Sequence, residues 1–429
     1  MRRDGILNTK NATAAPAAGS RAGNDFAGRG TDPTAGSWRD EFPGLFDGVY
    51  LNTAAEGCGS RTLAAALERY AAAKMRGARG RETMLSTEAG CRARMAGLLG
   101  CAPAEIAFLS STTEAINTVL LGLDWRRGDN VVLSDLEFPS SIVACLHLRE
   151  RFGVEVRVAR HAGGVVDAAA LAEYVDDRTR LVLVSHVSFR SGYRVDLQAV
   201  AARAHEHGAL LLVDAAQSLG AIRVDLDGVD FLAACTFKWL LGAHGLAVLY
   251  CRTNRLDDLR PPHLGWRSVE DYFSVLPDLN YSLQPDARRY EGGMLNYAGI
   301  YALHDALGLL DSVGPAEIER WVLRLSGRIL AGLDRLGIGA LTSHELERRA
   351  GIVAFETPQH EAIGRALDAA GIQAWCKEGR VRASTHFYSS DSDVDAFLRV
   401  LEETGVAASP GRPAASTRVR GRAGAGRGS

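Results

Sequence analysis

LLLVDAAQSLGAIRVDLDGVDFLAACTFKWLLG, residues 210–242, holds two short apolar runs, and each ends on a residue able to do chemistry. LLLVDAA (210–216) and FLAACTF (231–237) are too short for helices. They are near-continuous in hydrophobicity, as strands buried on both faces of a sheet are. The first delivers Asp214, with Gln217 just beyond it; the second delivers Lys238. Similar runs occur at IAFL (106–109), NVVLS (130–134), EVRVA (155–159), RLVLVSHV (180–187) and GLAVLY (245–250). Helical patterns over 113–121, 140–151, 168–174 and 197–207 separate several of them. The alternation predicts an α/β chain with a doubly wound, mostly parallel sheet of about seven strands. From about Gly314 to Leu401 a smaller α+β unit is expected, with GIVAFET and RVRAST as strands, while 252–300 reads as irregular.

Composition narrows the function. The 429 residues are 47% hydrophobic and 23% charged, with net charge −2, so no overall field draws in nucleic acid or an anionic membrane. No run of about 18 apolar residues is present to cross a bilayer. The polar start has no signal-peptide core, and a cytoplasmic protein is expected. Seven cysteines, irregularly spaced and without a C-x-x-C pair, argue against a disulfide framework and a zinc knuckle. Residues 1–36 and 406–429 read as a disordered leader and a disordered basic tail. Of 49 basic residues only four are lysines (10, 74, 238 and 377), so Lys238 in an apolar setting stands out.

Ligands of open parallel sheets bind at the carboxyl ends of the strands. The run at 106–109 leads into Ser110-Ser111-Thr112-Thr113-Glu114, a capping-box spacing that equally suits a phosphate on a helix N-terminus. Asp214 is a carboxylate at a buried strand end, and burial would favour the neutral, nucleophilic amine of Lys238. An anion cradle, a carboxylate and a nucleophilic lysine match the phosphate, ring nitrogen and aldehyde of pyridoxal phosphate.

With those pieces in view, the sequence resembles the class V aminotransferase family of fold-type-I pyridoxal-phosphate enzymes. That group includes cysteine desulfurases, kynureninases, isopenicillin N epimerases and C–S lyases. The resemblance rests on YLNTAAEG (50–57), STTEAIN (111–117), VDAAQS (213–218), FKWLLG (237–242) and VRASTHFY (381–388). It implies that Lys238 is the Schiff-base lysine and general base, that Asp214 partners the ring nitrogen, and that Gln217 bonds the cofactor's phenolic oxygen or the nearby Schiff base. It implies Thr112 and Thr113 at the phosphate, Phe138 on the ring face, Arg382 as the clamp for the substrate carboxylate, and Asn52 and Ala54 along the substrate pocket. A homodimer with a shared active site follows from the same resemblance. So does a division into 37–60 lining the site, 61–300 as the large cofactor domain and 301–405 as the small one.

Departures shape the expected reaction. Phe138 stands where cysteine desulfurases have a histidine, and Phe189 replaces the usual asparagine. Cys235 and Phe237 replace a serine and a histidine before the lysine, so Thr236 is expected to offer the phosphate a substitute hydroxyl. In EGGMLN (291–296), Met294 replaces the phosphate-binding threonine of the partner subunit, and a backbone N–H or Asn296 is expected instead. Between Ile372 and Arg382 the chain is too short for the loop that carries the sulfur-accepting cysteine, and Cys376 reads as a buried thiol. The expected activity is β-eliminating C–S lyase chemistry on a cysteine-type substrate, through an external aldimine and a Cα carbanion, with no metal. Transamination or epimerisation is the alternative, and a non-catalytic cofactor-binding regulator the second. No role is assigned to His186, His244, His386, Arg190 or Arg194.

Overall fold

The apolar runs form strands because their side chains are buried on alternate faces of one sheet. In the computed structural model, which describes residues 38–45 and 47–405, these are β1 (Ile106–Leu109), β2 (Asn130–Ser134), β3 (Glu155–Ala159), β4 (Thr179–Ser185), β5 (Leu210–Asp214), β6 (Phe231–Cys235) and β7 (Ala247–Cys251). The expected leader and tail lie outside the described residues. The strand order is β1-β7-β6-β5-β4-β2-β3. Every pairing is parallel except those of β7, which runs against both β1 and β6. Leu210 and Leu212 face one core layer, with Ile116, Val119 and Leu148 from the helices α3 (Thr112–Gly122) and α4 (Pro139–Phe152). Leu211 and Val213 face the other layer, with residues of α2 (Arg81–Leu99), α6 (Leu197–Glu206) and α7 (Tyr297–Val313). Helices α1 (Arg61–Met75) and α5 (Ala168–Ala172) also belong to this part of the chain, with a single helical turn at Val275–Asp278.

The remainder carries α8 (Pro315–Arg335), α9 (His360–Ala369), α10 (Asp391–Glu403) and a three-stranded antiparallel sheet. That sheet is ordered β9 (Trp375–Lys377), β10 (Arg380–Ser384), β8 (Ile352–Glu356). A two-residue parallel pair, Val49–Tyr50 with Ile372–Gln373, ties the N-terminal segment to this half. The expectation of irregular chain to residue 300 needs correction. Asn296 caps α7 by accepting from the Gly299 N–H, so a regular helix begins at Tyr297. That helix runs unbroken through 300/301, where the two domains were expected to meet, and packs on α1 and α2. The break in helical structure is at Gly314, whose φ of 94° ends α7 and precedes α8.

Strands β2 and β3 lie on one side of β4, and β5 to β7 on the other. The direction of winding therefore reverses between β2 and β4, and a crevice opens at the strand carboxyl ends.

Candidate active site

A cavity of about 210 Å³ occupies that crevice, and Lys238, Asp214, Gln217, Phe138, Thr112 and Thr113 all line it. A larger one, about 870 Å³, lies between α2, α8 and the 219–227 loop, and its wall contains no lysine.

Lys238 leaves β6 on a tight turn. Leu241 there is left-handed, with φ 56°, a conformation that costs a non-glycine residue roughly 1–2 kcal/mol. Bonds from Leu241 N–H to the Lys238 carbonyl (3.2 Å) and from Gly242 N–H to the Thr236 carbonyl (2.8 Å) hold it. The lysine is half-buried rather than enclosed, because its amine looks into the cavity. Nζ lies 5.6 Å from the ring centre of Phe138 and 5.7 Å from that of Phe237. The 52–57 segment presses on this turn: a Cβ on Gly57 would come within 2.2 Å of the Lys238 carbonyl oxygen.

Asp214, 6% exposed, accepts one bond, from the Ala216 N–H at 2.9 Å. Burial pushes its carboxyl up, against the pull of that N–H and the Lys238 charge. Gln217 donates to the Ala54 carbonyl (2.9 Å) and accepts from the Trp239 indole (2.8 Å), leaving one amide hydrogen uncommitted. At the start of α3, Ser111 caps the Glu114 N–H, while Glu114 turns back to Ser110 rather than closing a box on Ser111. The first-turn N–H groups of Thr112 and Thr113 have no partner within the helix, and among the described residues only the Cys235 thiol bears on the buried Thr112 Oγ1. Phe138 is 45% exposed, so it is a cavity face and not a core aromatic. Phe189 meets it edge-on, ring centres 5.2 Å apart.

Five expected residues stand elsewhere. The Thr236 hydroxyl is fully buried and faces the carbonyls of Ala243 (2.7 Å) and Leu246 (3.0 Å). Its single hydrogen is spent on backbone, and it is off the cavity wall. The Asn296 amide is likewise used within its own chain, on the Gly245 carbonyl and the Gly299 N–H. Arg382, Asn52 and Ala54 lie behind the wall. Arg382 donates to the Phe189 carbonyl (2.8 Å), lies 5.2 Å from the Trp375 ring centre, and has no carboxylate partner among the described residues. Burial, with Arg380 beside it, pushes its guanidinium down to about 10. Asn52 bridges to Ser384 and keeps a buried, unpartnered Oδ1; Ala54 N–H donates to the Ser384 hydroxyl.

The histidines divide. His186 and His386 are buried, and burial pushes them down to about 3 and about 4, so both are neutral. His386 bonds the Trp239 carbonyl. His244 is exposed and stacks on Phe237, 4.3 Å between ring centres. Cys376 packs against Gly364 of α9, on the β9 face opposite Trp375 and Arg382. Every one of the seven thiols is pushed up by burial. Two wall or near-wall residues escaped the sequence reading: Ser185, at the end of RLVLVSHV, and Glu137, beside Phe138. Burial pushes the Glu137 carboxyl up to about 7. Further out, Arg92 and Arg267 both pair with Glu88 and Glu291, which anchors the head of EGGMLN.

The donor set fits pyridoxal phosphate. A buried hydroxyl and free N–H groups await an anion, a carboxyl with spare acceptors lies at a strand end, and an aromatic face on the same wall stands 5.6 Å from an amine. Among the described residues no group of three or more His, Cys, Asp or Glu is placed to hold a metal ion, and no helix is long and apolar enough to cross a membrane.

The family described as Aminotransferase class-V matches residues 53–397. A probable cysteine desulfurase of Methanothermobacter thermautotrophicus is 33% identical over 341 residues, 73% of this chain and 82% of that protein. The apo cysteine desulfurase of Thermococcus onnurineus superposes with TM-score 0.78 at 29% identity, covering 85% of this chain and 96% of that one. The cystine C–S lyase C-DES, solved with its product cysteine persulfide, gives TM-score 0.76 at 26% identity, covering 84% and 98%.

Proposed function

The chain belongs to the aminotransferase class-V family and is a pyridoxal-phosphate-dependent enzyme; from that premise we propose that it is a C–S lyase. Its substrate in this reading is a cysteine-type amino acid, cleaved by β-elimination without a persulfide on the protein. One observation carries the choice: burial pushes all seven cysteines up, which favours their thiol form, and Cys376 faces α9. A thiol is a poor sulfur acceptor, since the thiolate is the nucleophile.

When bound, pyridoxal phosphate supplies an electron sink for the bond electrons released at the substrate's Cα. Thr112, Thr113 and the α3 N-terminus would hold its phosphate, Asp214 would face its ring nitrogen, and Phe138 would cover its ring. Gln217 would use its free amide hydrogen on the phenolic oxygen. Lys238 would hold the aldehyde carbon at rest. Displaced by the substrate amine, its Nζ would take the Cα proton and pass it to the departing sulfur. Arg382 lacks a counter-ion, and a substrate carboxylate would supply one once Phe189 gives way.

The exposed side chains of Trp266, Tyr272, Phe273, Tyr281 and Met294 cluster in one segment and support a homodimer through it. The reading also divides the chain at Gly314 and places it in the cytoplasm, where seven unpaired thiols are at home.

The test is a panel of cysteine, cystine and cysteine S-conjugates, with pyruvate, ammonia and the released sulfur compound measured together. Equal pyruvate and ammonia support the lyase. Alanine with a persulfide on a cysteine peptide would make it a desulfurase, and an amino group passed to a keto acid would make it an aminotransferase.

A further inference from the structure

We propose that Glu137, acting through Ser185, is a second carboxylate of the ring-nitrogen site and a positioning residue that keeps a proton on the cofactor's pyridine nitrogen. This rests on the reading of Asp214 given above.

Glu137 follows β2 and Ser185 ends β4, and those strands are neighbours only because the sheet reverses its winding between them. Glu137 is 2% exposed. Its Oε1 accepts from the Ser134 hydroxyl at 2.7 Å. Its Oε2 accepts from both the N–H (2.7 Å) and the hydroxyl (2.5 Å) of Ser185. No basic side chain pairs with it among the described residues. Taking an ionised carboxylate out of water is costly, and three hydrogen bonds offset only part of that cost. The site therefore has a use for a positive group that the protein itself does not supply.

Ser185 shows where that group would sit. It lies on the cavity wall, and in the sheet register it stands directly beside Asp214. Its hydroxyl hydrogen goes to Glu137, so the oxygen presents only lone pairs to the cavity. The charged and titratable groups that bear on Glu137 are Asp214 from β5, which opposes its ionisation, and Cys145 from α4, a buried thiol. Lys238 bears on Asp214 from the far side. A protonated ring nitrogen between these elements meets two carboxylates, one directly and one through an oriented hydroxyl. Both favour the charged ring. Ionisation of Glu137 adds negative charge as pH rises, when the ring would otherwise lose its proton.

The test uses the holoenzyme loaded with pyridoxal phosphate carrying ¹⁵N in the ring, whose chemical shift reports ring protonation. Glu137→Gln keeps the shape and can keep both Ser185 bonds on its amide oxygen, while its NH2 would donate to the Ser134 hydroxyl instead of accepting from it; the charge is removed. The ring proton should then be lost at a pH about one unit lower than in wild type, a tenfold change in proton affinity. Cofactor affinity measured by titration of apoenzyme should fall about tenfold in mild alkali and stay unchanged in mild acid. Ser185→Ala should shift the profile in the same direction, and it carries the test should Glu137→Gln not fold. Superimposable ¹⁵N profiles, even with weaker binding, would reduce Glu137 to a structural pin between α4 and β4. Failure of the wild type to fix the cofactor on Lys238 with borohydride overturns the functional reading itself, and this inference with it.

Discussion

The indole Nε1 of Trp239 donates to Oε1 of Gln217 at 2.8 Å, so the residue after Lys238 holds the residue three beyond Asp214. Trp239 is fully buried, and its carbonyl in turn receives His386. The two strand ends that carry the cofactor chemistry are thus fastened to each other and to the chain after β10. Trp239→Phe would strand the buried Gln217 oxygen, at a cost of about 1–3 kcal/mol. The denaturant midpoint of the apoenzyme should fall accordingly. An unchanged midpoint would mean that water or a rotated amide replaces the bond.

Lys238→Ala should retain pyridoxal phosphate, since Asp214, Phe138 and the α3 N-terminus are untouched, and should lose nearly all turnover. Borohydride treatment of the wild type should leave the cofactor on the peptide containing Lys238. Label on Lys74 or Lys377, or an active alanine variant, would reassign the site.

Arg382→Lys keeps the charge and loses the planar fork. A charge-assisted bond is worth about 1.5–3 kcal/mol, so kcat/KM should fall roughly 10–150-fold with the cofactor spectrum unchanged. Amino-acid esters, which lack the carboxylate, should lose far less. Equal losses for esters and free acids would remove Arg382 from substrate binding.

Acid should weaken the fold through His386. Its folded-state value, about 4, lies below the ordinary 6.5. The stability it lends is therefore complete above about pH 6.5 and drains as pH falls through about 4. By pH 5 the loss from this group should approach ~2 kcal/mol. His386→Gln should flatten the pH dependence of unfolding between pH 7 and 5, leaving the part due to His186. A slope identical to wild type would show that His386 is not buried neutral.

Glu291→Gln removes one of two carboxylates that pair with both Arg92 and Arg267. Breaking a buried pair of this kind costs about 3–5 kcal/mol. Thermal stability should fall clearly, and the segment bearing Trp266 and Met294 should become sensitive to protease. A near-neutral change would mean that water screens the cluster.

Local pattern carried much of the architecture. A run such as NVVLS or FLAAC has only one way to bury both faces, so the strands lie where their hydrophobicity puts them. Lys238 and Asp214 sit at the ends of such strands, and their place beside one cavity follows from the parallel sheet. Helix α7 was harder to see. Its N-cap, Asn296, lies in a stretch of prolines, glycines and aromatics that reads as loop, and only packing on α1 and α2 decides for helix.

What the sequence could not contain is how each polar atom spends its hydrogen bonds. Thr236 and Asn296 have the right chemistry for a phosphate and sit near the right residues, yet carbonyls of the 243–246 loop claim both, and only folding brings that loop to them. Glu137 and Ser185 are 48 residues apart, and they pair because strand order makes β2 and β4 neighbours. A sequence names the groups available; the long-range pairing of strands and loops decides which remain free to meet a ligand.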